Sequence, residues 1–374
     1  MTKKRTKSGF SSSLRTAWSW LWHNGLWRRI LFVMASILVL WTGLMYGVGQ
    51  WYIHKHDNEP MVLGTTFIPA YAQSFGLDPK ETLSAILTDL NVKQIRLTSY
   101  WNEIEAQPGK YDFSMLDWEF AQAQAHNAKV SLAIGMRQPR WPECHEPSWI
   151  NAAGPENTWR PQLNAYMKAV VERYKNNPAL GGYELENEYF MTVFGMCKNF
   201  DRQRLVDEFN MVKGLDPKHQ IIITRSNNWV GIPVGAPTPD KFGISVYKRV
   251  WDSTFTHRYF EYPLPAWFYA SLAGWGEIFT GKDMVIHELQ AEAWTPNGKQ
   301  MTEISVDEMY KSMSPARMKT RIAYGRATGI RNIDLWGAEW WYWLKKDKNQ
   351  PDIWNEVKQA VAQAEANNQK LADN

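Results

Sequence analysis

The sequence predicts a (β/α)8 barrel preceded by a single N-terminal transmembrane helix. Two observations carry that expectation. Short β-rich runs alternate with amphipathic helical stretches from residue 62 onward, and residues 30–51 form an uncharged apolar run. A doubly wound open sheet is the alternative, but no Gly-rich phosphate loop follows any of the strands.

The first strand is expected over residues 62–68. A helix over 79–90 follows, with Leu83, Ile86, Leu87 and Leu90 on one face. Strand 94–99 precedes helix 115–127, and strand 129–135 precedes helix 160–175. The fourth strand is read as the stretch 181–190, GGYELENEYF, with helix 203–213 behind it. Strand 220–224 has no clear helix after it. Strand 242–247 leads to helix 266–279, strand 284–289 to a helix within 306–325, and strand 332–336 to helix 352–366.

The membrane segment rests on length and charge. About 20 apolar residues cross a bilayer as a helix, and the 30–51 run has that length. Trp27, Trp41, Tyr46, Trp51 and Tyr52 put most of its aromatic rings near the two ends, as interfacial anchors would be. Seven basic residues lie before residue 30, whereas the first acidic residue is Asp57. Basic flanks stay in the cytoplasm, so residues 1–29 are expected inside and the rest outside. A cleavable signal peptide fits less well, because no A-x-A site follows the run. Leu14, Trp18, Leu21, Trp22 and Leu26 fall at helical spacing and suggest a short interfacial helix. A polar link over 52–60 then leads into one barrel domain over 61–374.

The overall charge of +4 conceals this asymmetry. After residue 29 the chain carries 35 Lys+Arg against 38 Asp+Glu, a net of −3. Nucleic acid is therefore not an expected partner. No HExxH, zinc-spaced Cys/His cluster or Gly-x-Ser-x-Gly elbow occurs, so neither metal nor cofactor is called for. The 21 Trp, 16 Tyr and 15 Phe are an unusual excess. Aromatic faces suit sugar C–H surfaces, although about half of the post-strand Trp residues are expected to be ordinary packing.

A barrel places its site at the C-terminal ends of the strands. There the fourth strand offers Glu184, Glu186 and Glu188 at alternate positions, all expected to face inward, with Glu188 nearest the mouth. On the seventh strand Met284 and Ile286 are expected inward, then Glu288 at the mouth. His287 has the opposite parity and reads as packing. Two carboxylates across a barrel mouth suit glycosidic cleavage. One gives a proton to the leaving oxygen while the other attacks the anomeric carbon or activates water.

Asn187-Glu188 closing the fourth strand and one Glu closing the seventh resemble the clan of retaining glycoside hydrolases with (β/α)8 barrels, which includes families 5, 35 and 42. WNEIEAQPGKYDFSMLD after strand two and PRWPECHEPSW after strand three resemble stretches of the same families. The resemblance spans the barrel. It implies Glu188 as acid/base, Glu288 as nucleophile and Arg96 as the arginine that keeps the nucleophile ionised. It further implies Asn187 on the neighbouring sugar hydroxyl, Tyr247 beside the nucleophile, and Trp336 at the end of strand eight. Tyr189 stands where many members have proline, and Glu292 is a second nucleophile candidate.

Trp101, Trp141, Trp294 and His145 are further candidates for substrate binding, as is one ring of WWYW at 340–343. Glu184 and Glu186 are expected to pair with inward cations such as Arg96. Cys144 and Cys197 follow neighbouring strands, which places a disulfide between their loops within reach. The expected partners are a β-linked glycoside or polysaccharide and the membrane. A barrel that only binds carbohydrate, or a transglycosylase, is the alternative.

Overall fold

The computed structural model describes residues 25–197, 199–225 and 235–373. Eight parallel strands close into a barrel: β1 (Val62–Phe67), β2 (Gln94–Thr98), β3 (Lys129–Ile134), β4 (Leu180–Leu185), β5 (Gln220–Arg225), β6 (Lys241–Val246), β9 (Met284–Gln290) and β10 (Asn332–Trp336). β7 (Arg249–Asp252) and β8 (Arg258–Glu261) form an antiparallel hairpin beyond the end of β6, which the sequence reading missed. The expected barrel is present, and every expected strand lies within a few residues of an observed one.

Local chemistry sets the helix boundaries. Asp78 caps Pro79–Thr88 by accepting from Lys80 N, with Pro79 at the first position, where a missing N–H costs nothing. The single helix expected within 306–325 is two. Val306–Ser312 ends, and Ser314 caps Pro315–Arg326 through the N–H of Arg317. A proline in mid-helix would remove a backbone bond, so Pro315 is placed at a new start. The helix Ala338–Lys346 was also missed. Trp340, Trp341 and Trp343 are buried in it, and none of the WWYW rings lines the cleft described below. No helix lies between β5 and β6 among the described residues.

The fourth strand is shorter than expected. It stops at Leu185, and both Glu186 (φ 54°) and Glu188 (φ 49°) adopt left-handed backbone. Alternation therefore ends at Leu185, and the three carboxylates do not share a face. Glu184 points into the barrel, while Glu186 accepts from the Met136 and Arg137 amides and pairs with Arg204 on the helix Arg202–Leu215. Left-handed turns carry Glu188 back over the barrel end.

The seventh strand departs in another way. Ile244 pairs with Ile286 but Ser245 with Glu288, and on the other side Ile333 pairs with Ile286 but Leu335 with Leu289. One extra residue is thus inserted in β9, a bulge that re-phases the strand. Ahead of the bulge Val285 and His287 line the barrel interior, so the inward parity expected of Met284 and Ile286 is reversed and His287 is not outward. It sits 3.1 Å from Asp334 and lines a cavity at the lower end of the barrel with Gln94, Ser131, Gly182 and Val285. Glu288 is nonetheless delivered to the mouth.

The apolar run lies within one helix, Leu26–Lys55, long and apolar enough to cross a membrane. Its C-terminal part packs on the helix Ala266–Thr280 through Met45, Gly49 and Tyr52. The backbones approach closely. A Cβ on Gly49 would come within 2.6 Å of the Trp267 carbonyl oxygen, and one on Gly274 within 2.8 Å of Val48. Tyr52 OH donates to Asp283 (2.7 Å), and Lys55 and His56 pair with Glu277. The expected interfacial helix falls outside the described residues, apart from Leu26.

Candidate active site

At the C-terminal end of the strands a cleft of about 510 Å³ holds Glu188 and Glu288 together with Glu143, Glu292, Tyr71, Arg140, Tyr247, Trp141, Trp251, Trp294 and Trp336. Its base is a network on Arg96. This buried guanidinium donates two bonds to Glu184 (2.7 and 2.8 Å), one to Glu288 Oε1 (2.8 Å) and one to Asn187 Oδ1 (2.9 Å). Burial opposes ionisation of Glu184, but Arg96 overcomes it and holds that carboxyl below its ordinary range. Thr224 donates to Glu184 (2.7 Å) and accepts from the Glu188 amide (2.9 Å), fixing the turn that carries Glu188.

The two candidate catalytic carboxyls have different partners. Glu288 Oε2 accepts from Tyr247 OH (2.6 Å), so both its oxygens are engaged by donors. Burial first, then the charges of Glu288 and Glu188, push the Tyr247 phenol well above its ordinary range, so it remains a donor. Glu188 Oε1 accepts from Ser245 Oγ (2.6 Å). Trp294 stands edge-on to Tyr247, with centroids 5.7 Å apart. Trp336, Trp294 and Trp141 all line the cleft.

Three expected contacts lie elsewhere. Trp101 is fully buried, its indole bonded to Glu105 and packed on Tyr166 and Trp149, so it is core. A post-strand Trp is large enough to fill the layer beneath a loop, and this one does. His145 stacks on Tyr100 (centroids 3.6 Å apart) beneath the rim and does not line the cleft. Burial lowers its pKa to about 4. Asn187 is buried behind Glu188. It accepts from Arg96 and donates to Glu143 (2.9 Å), so its amide serves the protein network.

Several cleft residues escaped the sequence reading, among them Glu143, Arg140 and Tyr71. Glu143 lies in the Pro-Glu-Cys-His loop with a carboxyl pushed well above the ordinary range, by burial and then by Glu188. Arg140 lies over the rings of Tyr71 (3.2 Å) and Trp336 (4.5 Å) and pairs with Glu292 (2.9 Å), which also accepts from Tyr71 OH. Glu292, the second nucleophile candidate, is thus engaged by both. Trp251, one of the post-strand tryptophans weighed as sugar-stacking candidates, reaches the cleft from the hairpin that was missed. Only the Arg140-Trp-Pro-Glu143 loop gave a usable signal, a charged pair among aromatics after a strand. Cys144 and Cys197 are bridged, with Cα atoms 5.2 Å apart, tying this loop to the one after β4.

The beta-galactosidase model of glycoside hydrolase family 42 matches residues 80–223. A beta-galactosidase of Geobacillus sp. (strain Y412MC61) is 29% identical over 166 residues, covering 37% of this chain and 24% of its own. The chain thus spans less than a quarter of the length of the curated relatives it matches. Among solved structures, a beta-galactosidase from the haloarchaeon Halorubrum lacusprofundi superposes with a TM-score of 0.52 at 11% identity, over 81% of this chain and 58% of that one. An exo-beta-1,4-mannosidase from Opitutaceae bacterium strain TAV5 gives 0.51 at 12%, over 83% and 60%. These low identities establish the barrel alone. On sequence and fold together, the chain is similar to the clan of (β/α)8 glycoside hydrolases that its strand ends resemble.

Proposed function

We propose that the protein hydrolyses a β-linked glycoside with retention, by double displacement between Glu188 and Glu288. The observation that carries the reading is the asymmetric setting of these carboxyls in one cleft. Glu288 has the Arg96 guanidinium and the Tyr247 hydroxyl aimed at its two oxygens, which suits an ionised nucleophile. Glu188 accepts from the neutral Ser245 hydroxyl and lies beside the buried Glu143, whose carboxyl its charge opposes, which suits a proton donor. In the first step Glu288 bonds to the anomeric carbon as the glycosidic bond breaks, and the leaving oxygen takes the Glu188 proton. In the second, water loses a proton to Glu188 and displaces Glu288.

The helix Leu26–Lys55 would hold the barrel on the outer face of a cell membrane, with its basic flank in the cytoplasm. Protease added to intact cells tests the topology; full protection of the barrel would reject it. An aryl β-glycoside panel on the full chain, with the first-formed anomer followed by NMR, tests the reaction. An inverted product sinks the double displacement. No turnover of any glycoside favours a barrel that only binds carbohydrate, and sugar transfer to alcohols in place of water marks a transglycosylase.

A further inference from the structure

The apolar helix does not hang from the floor of the barrel. It runs in the same direction as Ala266–Thr280: Tyr46 lies against Trp267, Gly49 against Ser271, Tyr52 against Gly274, and His56 against Glu277. Ala266–Thr280 begins at mouth level, where the Leu264 carbonyl accepts from Lys248 just past β6, and ends at the floor ahead of β9. The apolar helix therefore descends the flank of the barrel and reaches the floor at His56, whose carbonyl accepts from Arg331 at the foot of β10. Followed backward, it climbs that flank and leaves on the mouth side. Its N-terminal part projects past the end that carries Glu188 and Glu288.

Length then fixes how near the mouth must come to lipid. From Ile30 to Leu44 the uncharged helix covers about 22 Å. Bilayer hydrocarbon is roughly 30 Å thick. The crossing is completed only if residues from Met45 onward, already docked on the barrel, also enter the membrane, and this draws the mouth end to the headgroups. The rim is suited to that position. Val193 (90% exposed), Phe255 (87%) and Trp141 (60%) project from the loops after β4, β6 and β3, with Met196 and Phe260 beside them. Large apolar side chains on loops around one opening mark a surface that meets something apolar.

We infer that the barrel mouth faces the bilayer and that the substrate is a glycan borne on a membrane lipid. This rests on the glycosidase and membrane-span readings proposed above. The head sugar enters between Glu188 and Glu288, while Met191, Phe194, Val250 and Met301 line a path for the apolar stem. In the step itself Glu288 displaces the lipid's oxygen, which takes the Glu188 proton. Water then replaces Glu288 and returns a proton to Glu188, so free sugar and lipid alcohol leave.

The test uses the full chain in phosphatidylcholine vesicles. With Cys144 and Cys197 bridged, an introduced cysteine is the one free thiol and takes a nitroxide. Labels at Phe255→Cys and Val193→Cys should relax more with oxygen than with an aqueous nickel chelate, as should one at Leu38→Cys within the span. A label at Lys218→Cys on the floor should do the reverse. Aqueous rim labels beside a lipid-exposed Leu38 label overturn the orientation and leave the span standing. An aqueous Leu38 label overturns both. Dipolar broadening between rim labels means that a second copy covers the mouth, and also overturns the proposal.

For the substrate, the sugar chosen by the aryl panel is attached to a dialkylglycerol. Cleavage should be about tenfold or more faster when this lipid shares the protein's vesicles than when it sits in separate ones. Equal rates overturn the lipid substrate while aryl turnover keeps the glycosidase. Absence of aryl turnover overturns both.

Discussion

In the proposed double displacement, Glu188 and Glu288 would do different chemistry because different neighbours surround identical side chains. Glu288→Gln removes the proposed nucleophile, and turnover of every substrate is expected to fall by at least about 10³-fold. Glu188→Gln should depend on the aglycone: about 10²–10⁴-fold loss for poor leaving groups, and little loss in the first step for activated aryl groups. Equal losses across aglycones would count against Glu188 as the acid. If Glu292→Gln were inactive while Glu288→Gln retained activity, the nucleophile would be four residues further on. Tyr247→Phe deletes one bond to a charged oxygen, worth about 1.5–3 kcal/mol. Initial rates should fall about 10- to 100-fold with the melting temperature nearly unchanged; a large drop in melting temperature would make Tyr247 a structural residue instead.

At the scale of elements, the loop after β3 is where the site is held in shape. It supplies Arg140, Trp141 and Glu143 to the cleft, and its lower side is pinned by His145 on Tyr100 and by the Cys144–Cys197 bridge. His145 is buried neutral, with its pKa lowered to about 4 from the ordinary 6.5. Protonation therefore favours the unfolded chain. Its full contribution to stability is present above about pH 6.5 and is lost as pH falls toward 4, up to about 3 kcal/mol. His145→Gln should flatten the stability profile over that interval in chemical denaturation. Parallel profiles for parent and variant would remove the residue from the account. The bridge closes a long loop, so Cys144→Ser with Cys197→Ser should cost about 2–4 kcal/mol of stability at neutral pH. An unchanged denaturation midpoint would show that the loops hold themselves.

At the scale of the whole molecule, barrel and apolar helix are not separable at the link expected between residues 52 and 60. Met45, Gly49, Tyr52 and the Glu277 ion pairs bind the end of the apolar helix to the barrel. A fragment starting at Glu59 should melt about 5 °C or more below one starting at Met45, because the face of Ala266–Thr280 would be uncovered. Equal melting temperatures in calorimetry would make the contact incidental.

The sequence by itself determined the eightfold alternation, the apolar run and the choice of Glu188 and Glu288 as candidates. Periodicity and charge are local properties, and a barrel puts every strand end on one face. Only the tertiary structure decided how those side chains reach the mouth. The parity argument assumed regular strands. Glu188 instead arrives on left-handed turns after β4 has stopped, and Glu288 arrives because a bulge shifts β9 by one residue. Such irregularities are set by cross-strand packing that no run of residues reveals. For the same reason Trp101 and Trp336, alike in sequence as aromatics after a strand, part company in the fold. One fills the layer under a loop and the other lines the cleft, since burial depends on what neighbouring chain segments leave uncovered.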